Sequence, residues 1–254
     1  MGTRVTQGPR SLATYARLSR IAHHEGSGGK VVRVRLRPLG GREVLLRPST
    51  SDVDTVWGTF AGRYHLPPPE ALEGPGLRLV WDLGANIGLT MADTARRHPG
   101  ARIVGMELDG ENAAIARANV EPWRDRCEVI EAAVWPEEGR LPYMRPDGAA
   151  AAYRVVEGAE GERPSEVAHA DAISPTSLLA REGPDAVVDY VKLDIEGGER
   201  ELLTRETGWA ERVRTMKVEV HAPYTVEACE RDLRNLGFDT RVDPRHWGCV
   251  VAVR

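Results

Sequence analysis

From residue 77 onward, short apolar runs alternate with amphipathic stretches. Leu77, Leu79, Val80, Trp81 and Leu83 make the compact apolar run of a strand buried on both faces. Residues 87–97 follow with helical spacing and stop at Pro99-Gly100. The same reading predicts strands at 102–107, 127–134, 186–195 and 215–221, with helices at 111–120 and from Glu199. Ser174 caps a further helix that has Pro175 at its first position. Residues 225–236 place Val226, Ala228, Cys229, Leu233 and Leu236 on one helical face, and Gly237 ends the helix. Strands at 239–242 and 249–253 flank 244–248. This alternation predicts a doubly wound α/β fold, a mostly parallel sheet closed by an antiparallel last strand.

Before residue 71 the pattern is different. Residues 11–22 carry a weak apolar face of Leu12, Tyr15, Ala16 and Leu18, and fit either a mobile tail or a helix capping a site. Gly26-Ser27-Gly28-Gly29 breaks the chain. Val31, Val32, Val34 and Leu36 lead through Gly40-Gly41 to a second strand at 43–47, a hairpin pattern. Ser51 or Asp52 caps a short helix running to Phe60, and Pro67-Pro68-Pro69 is a stiff connector. Residues 1–70 are therefore expected to form a small α+β extension, and 71–254 the main domain. Residues 136–170 show no strong period, although Tyr143, Met144, Tyr153, Val155 and Val156 suit an excursion or hairpin near a site.

The first strand of the main domain ends in Asp82-Leu83-Gly84-Ala85-Asn86-Ile87-Gly88. Gly84 and Gly88 permit a sharp turn at the carboxyl end of a strand, where open α/β sheets bind ligands. Asn86 and Leu89 stand where a dinucleotide fingerprint needs its second and third glycines, which disfavours NAD. Glu107 ends the next strand, about 20 residues beyond the loop, and can accept both hydroxyls of a ribose.

Composition narrows the field. The chain has 254 residues, 41% of them hydrophobic and 28% charged, as expected of an ordinary globular protein. A net charge of -4 argues against a general nucleic-acid binder. No apolar run reaches the roughly 18–20 residues of a membrane span, and the N-terminus lacks a secretory apolar core. Cys127, Cys229 and Cys249 are scattered and odd in number, which suits reduced thiols in a cytoplasmic protein and offers no zinc-type pair. A monomer or homodimer without nucleic-acid or membrane partners is expected.

The D-x-G-x-N-x-G pattern resembles the cofactor loop of class I S-adenosylmethionine (SAM) methyltransferases. Three blocks together resemble the FkbM-type members: 81–88, then Val191-Lys192-Leu193-Asp194-Ile195-Glu196-Gly197-Gly198-Glu199, then Lys217-Val218-Glu219-Val220-His221. The segment 46–52 resembles that family's approach to its core. Gly198 replaces an alanine common in the family. The resemblance implies the seven-stranded class I methyltransferase sheet, SAM as cofactor, S-adenosylhomocysteine (SAH) as product, and methylation of a hydroxyl on a small molecule, such as a sugar or natural-product intermediate. The N-terminal extension would then be a lid over the acceptor pocket.

On this reading Asp82, Gly84, Asn86, Gly88, Glu107, Leu108 and Asp194 surround the cofactor, with Glu131 and Ala132 bordering its adenine. A hydroxyl is a poor nucleophile, so a proton acceptor or metal is useful. His221 titrates nearest neutrality among the candidates, and Asp194 and Glu196 share a face of an extended strand. These three are the catalytic candidates. Asp52, Tyr64, Glu196, Glu219 and His221 are candidates for holding the acceptor, with His65 also within reach. Asp194, Glu196, Glu219 and His221 have ligand-type chemistry for a divalent metal, but a metal-free base suits them equally, and no required metal is expected. N- or C-methylation, or SAM binding without catalysis, are the competing readings.

Overall fold

The computed structural model describes residues 2–21, 30–144, 154–155 and 167–254. The chain begins with α1 (Gly2–Val5) and α2 (Pro9–Ile21), then the hairpin β1 (Val32–Leu36) and β2 (Arg42–Leu46), then α3 (Asp52–Trp57). Tyr15 and Leu18 of α2 are buried, and the Arg35 amide donates to Ser11 Oγ at 3.0 Å, so the helix docks on the hairpin. The glycine break at 26–29 lies outside the described residues. Gly40 and Gly41 both take positive φ in the hairpin turn, as its sequence requires. Ser51 precedes α3 without capping it through its side chain, and a wider helical turn at Gly58–Gly62 continues past Trp57.

The main sheet starts with β3 (Leu79–Leu83), α4 (Leu89–Arg97), β4 (Arg102–Glu107), α5 (Gly110–Val120) and β5 (Cys127–Glu131). The predicted strand 127–134 breaks at Ala132, and β6 (Ala133–Val134) leaves for a second sheet. Next come β7 (Gly139–Met144), β8 (Arg154–Val155) and β9 (Val167–Ile173). Tyr143 pairs with Val155, so the expected hairpin exists, while Tyr153 and Val156 lie outside the described residues. The strand β9 was not expected. It alternates Ala168, Ala170 and Ala172 with His169 and Asp171, a period-two pattern written in a residue of low strand propensity.

The remainder is α6 (Pro175–Glu182), β10 (Tyr190–Leu193), α7 (Glu199–Thr204), β11 (Thr215–Glu219), α8 (Val226–Asn235), β12 (Asp239–Asp243) and β13 (His246–Val253). Ser174 caps α6 by accepting from the Ser177 amide, with Pro175 in place. The predicted strand 186–195 shortens to β10, because Val188 forms only an isolated bridge and residues 194–198 turn into the site.

The sheet order is β12-β13-β11-β10-β3-β4-β5, parallel except for β13, which runs antiparallel to both neighbours. This is the seven-stranded class I methyltransferase arrangement. Side chains alternate across it. Val80, Ile103 and Tyr190 face α4, α5 and the N-terminal hairpin, whose Leu36, Val44 and Leu46 join the same core. Trp81, Val104 and Val191 face Leu178, Leu202, Trp209 and Leu233 on the other side. Every residue of β3 is buried. The apolar run that begins the domain is thus its central layer, and its carboxyl end opens into a cavity.

Candidate active site

A cavity of about 300 Å³ lies at the carboxyl ends of β3, β4, β10 and β11. Its floor is the loop after β3. Gly84 takes φ +89, and a Cβ there would lie 1.7 Å from the Asp194 carbonyl oxygen, so only glycine fits. The Gly84 and Ala85 amides donate to Met106 O at 3.0 and 2.8 Å, tying the loop to β4. Asn86 also has positive φ, lines the cavity, and keeps a buried Oδ1 with no hydrogen-bond donor. Gly88 serves differently: it caps α4 at φ +77 and packs against Ala116, outside the cavity lining.

Glu107 reaches the cavity from the end of β4. Its two oxygens accept from the Asn86 amide at 2.8 Å and the Asp109 amide at 2.9 Å. Burial raises its pKa to about 7 against the pull of these two amides. Leu108 and Ala132 line the cavity beside it. Glu131 does not. Its half-exposed side chain turns outward to Arg117 at 3.1 Å, because neighbouring residues at a strand end face opposite ways.

Asp82 lies beneath the loop rather than in the cavity. Lys192, which the sequence reading left without a role, lies 3.0 Å from Asp82 Oδ1 and 3.2 Å from Asp194 Oδ2, and donates to Gly84 O at 2.6 Å. Burial disfavours the Lys192 cation, but the charges of Asp82 and Asp194 outweigh it and raise its pKa. One buried ammonium therefore joins the cofactor loop to the end of β10. A lysine inside the apolar run Tyr190–Leu193 was the available signal, since a buried charge requires partners.

Asp52 is likewise drawn elsewhere. It is buried against Arg47, with Nη2 to Oδ1 at 2.8 Å, Nε to Oδ2 at 3.2 Å and the Arg47 amide to Oδ2 at 2.7 Å. Arg47 Nη2 also donates to Asn112 Oδ1 at 2.6 Å. The N-terminal segment instead contributes Thr55, Trp57, Tyr64 and His65 to the cavity wall. Tyr64 packs edge-on between Trp57 and His246, with centroids 5.3 and 4.6 Å away. Trp135 lines the cavity as well.

The polar end is crowded with titratable groups. His65 Nε2 lies 3.5 Å from Asp194 Oδ2 and 3.4 Å from Glu219 Oε2. Burial and the Lys192 charge push its pKa down to about 3, so the ring is neutral. Burial and the Asp194 charge raise Glu219 to about 7. Burial works against the Asp194 carboxylate as well, yet the Lys192 ammonium, with the His221 cation, holds its pKa below the usual range. His246 points Nε2 at Glu219 Oε1 from 3.8 Å.

His221 sits behind this cluster and outside the cavity lining. Its Nδ1 is 2.9 Å from fully buried Glu199, and its Nε2 is 3.5 Å from Glu196 and 3.8 Å from Asp194. Burial opposes its charge, but the Glu199 hydrogen bond and the surrounding carboxylates raise its pKa to about 9. The raised pKa favours the protonated ring, which suits a counter-ion for Glu196 and Asp194.

The donors and acceptors suit SAM. Glu107 can take the ribose hydroxyls, the Gly84 turn admits a ligand where any side chain would not fit, and Asn86 Oδ1 awaits a donor. Bound SAM supplies an electrophilic methyl group; the chain's part is to hold it and to exclude water.

Solved structures similar to the chain include a precorrin-6y C5,15-methyltransferase from Geobacter metallireducens, 13% identical over 72% of this chain and 81% of that one, with a TM-score of 0.41. The SAM-dependent methyltransferase SibL in apo form is 14% identical over 80% of this chain and 57% of that one, with a TM-score of 0.45. The N-terminal domain of human METTL16 in complex with SAH is 13% identical over 80% and 67%, with a TM-score of 0.37. No curated protein sequence matches the chain. The FkbM methyltransferase domain model, in contrast, matches residues 82–240, from the aspartate beneath the cofactor loop to the second residue of β12. The chain belongs to the FkbM methyltransferase family and is a SAM-dependent methyltransferase.

Proposed function

We propose that this enzyme methylates a hydroxyl oxygen of a small molecule, such as a sugar or natural-product intermediate. The observation that carries this reading is the presence of carboxylates and aromatic rings in one cavity wall. Glu196 and Glu219 line the cavity together with Trp57, Tyr64 and Trp135. Aromatic faces suit the apolar surface of a ring or skeleton, and a carboxylate can take the proton that an alcohol must lose. Methyl transfer is an in-line displacement, so positioning the oxygen opposite the sulfonium supplies much of the acceleration. Lys192 supports the cofactor side through Gly84 O and Asp82, and the N-terminal segment acts as the lid. The chain is expected to work without nucleic acid, as a monomer or homodimer in the cytoplasm.

The test is a product assay. Purified protein is incubated with SAM and a panel of hydroxylated small molecules, and products are located by mass spectrometry and NMR. A new O-methyl ether supports the reading. A methyl group found on nitrogen or carbon, or on RNA, sinks it.

A further inference from the structure

We propose that His65, Asp194 and Glu219 form a divalent-cation site at the acceptor end of the cavity. The three residues come from separate parts of the chain: the segment after α3, the residue following β10, and the last residue of β11. One nitrogen or oxygen from each lies within 4.8 Å of the others.

The spacing is informative. His65 Nε2 stands 3.5 Å from Asp194 Oδ2 and 3.4 Å from Glu219 Oε2. A hydrogen bond from this nitrogen to either oxygen would be shorter, about 2.7–3.2 Å. With metal–ligand bonds of about 2.1 Å, the ligand atoms of a tetrahedral ion lie about 3.4 Å apart. Both gaps match that edge, and the third, between Asp194 and Glu219, lies within 4.8 Å.

The imidazole is also held in place from behind. Lys217 Nζ donates to Tyr64 O at 3.0 Å and to Leu66 O at 2.8 Å, and Tyr190 Oη donates to His65 O at 3.1 Å. Three consecutive carbonyls are thereby fixed to β10 and β11, and the ring between them gains a defined direction. Lys192 shares the Asp194 oxygen with the site. It lies beside Asp194 Oδ2, but a carboxylate oxygen offers two lone-pair directions, and the ammonium is shared with Asp82 and Gly84 O.

A second group, Asp194, Glu196 and His221, shares one ligand with the first. Its histidine is bound to Glu199 through Nδ1 and does not line the cavity, whereas all three residues of the proposed site do. One imidazole and two carboxylates leave at least one coordination position open, and they suit a first-row ion such as Zn²⁺ or Mn²⁺. If the acceptor is a hydroxyl, as proposed above, its oxygen in that open position would release its proton to Glu196 more readily.

Mn²⁺ is titrated into EDTA-treated protein in the presence of SAH, followed by calorimetry and electron paramagnetic resonance, with Zn²⁺ as competitor. One Mn²⁺ per chain is expected. His65→Ala and Glu219→Gln should each weaken it by at least about tenfold, while His221→Ala retains it. SAH affinity and circular dichroism report the fold of each variant, and His65→Asn replaces His65→Ala should the latter fail to fold. Absence of binding of either ion at millimolar concentration by folded protein overturns the proposal. So does binding that survives both ligand substitutions. No acceptor enters this titration, so its failure is distinct from failure to find an O-methylated product.

Discussion

Gly84 and Asp194 meet where no side chain fits: a Cβ on the first would lie 1.7 Å from the carbonyl oxygen of the second. The cofactor loop and the end of β10 are therefore one surface. Replacing Gly84 by Ala must push the two apart, at a φ of +89 that alanine disfavours. We expect SAH affinity to fall by more than about tenfold, or about 1.4 kcal/mol. Calorimetric titration of a variant shown to be folded checks this.

Cofactor affinity should depend on pH through Glu107. Its pKa is about 7 in the folded protein, raised from 4.5. Ribose hydroxyls donate to the ionised carboxylate, so binding favours proton loss. SAH affinity should weaken as pH falls below 7, by up to about tenfold per unit. The stability of the ligand-free protein moves the other way. Between 4.5 and 7 the folded state binds more protons than the unfolded state, so this group's contribution is lost as pH rises through that window. Glu107→Gln should flatten both dependences, which titrations and chemical denaturation from pH 5.5 to 8 would reveal.

The Arg47–Asp52 pair should be structural. Asp52→Ala removes the buried carboxylate of Arg47 and leaves the exposed Glu111 at 3.9 Å as its acidic neighbour, and the expected cost is about 3 kcal/mol. Urea denaturation measures it. Replacing both residues by apolar ones should cost less, because no charge is then stranded. A loss in Asp52→Ala confined to acceptor binding, with stability unchanged, would falsify this assignment.

Lys217→Met tests the clamp on residues 64–66. It strands Asp243, whose Oδ2 lies 2.6 Å from the ammonium, and frees the Tyr64 and Leu66 carbonyls. We expect a loss of about 3–5 kcal/mol in stability. We also expect faster hydrogen exchange in the segment 57–66, with SAH affinity changed by less than about threefold in protein that remains folded.

The alternating strands and helices could be read from the chain because each parallel strand is buried on both faces and must be apolar throughout. The place of Glu107 in the cavity wall was legible for a similar reason, since its distance from the glycine loop follows from one helix and one strand. Choice of partner was not legible. Asp52 and Glu131 carry the right chemistry, yet Arg47 and Arg117 claim them, and nothing local to either carboxylate says so. His221 has the ordinary pKa of a base only until Glu199 is folded against it. His65 and Lys192 gain their roles from strands more than 100 residues away.

That separation has a bearing on how the enzyme comes into being. The bond from Lys217 to Tyr64 spans 153 residues. Loop closure over such a distance is slow and comes late. On the ribosome, the strand whose lysine holds Tyr64 and Leu66 is made only after the cofactor loop, its acidic partner and the first four strands of the sheet. The chain thus carries its glycine loop and Glu107 well before it carries Lys217, the lysine that fixes the cavity-lining segment 64–66.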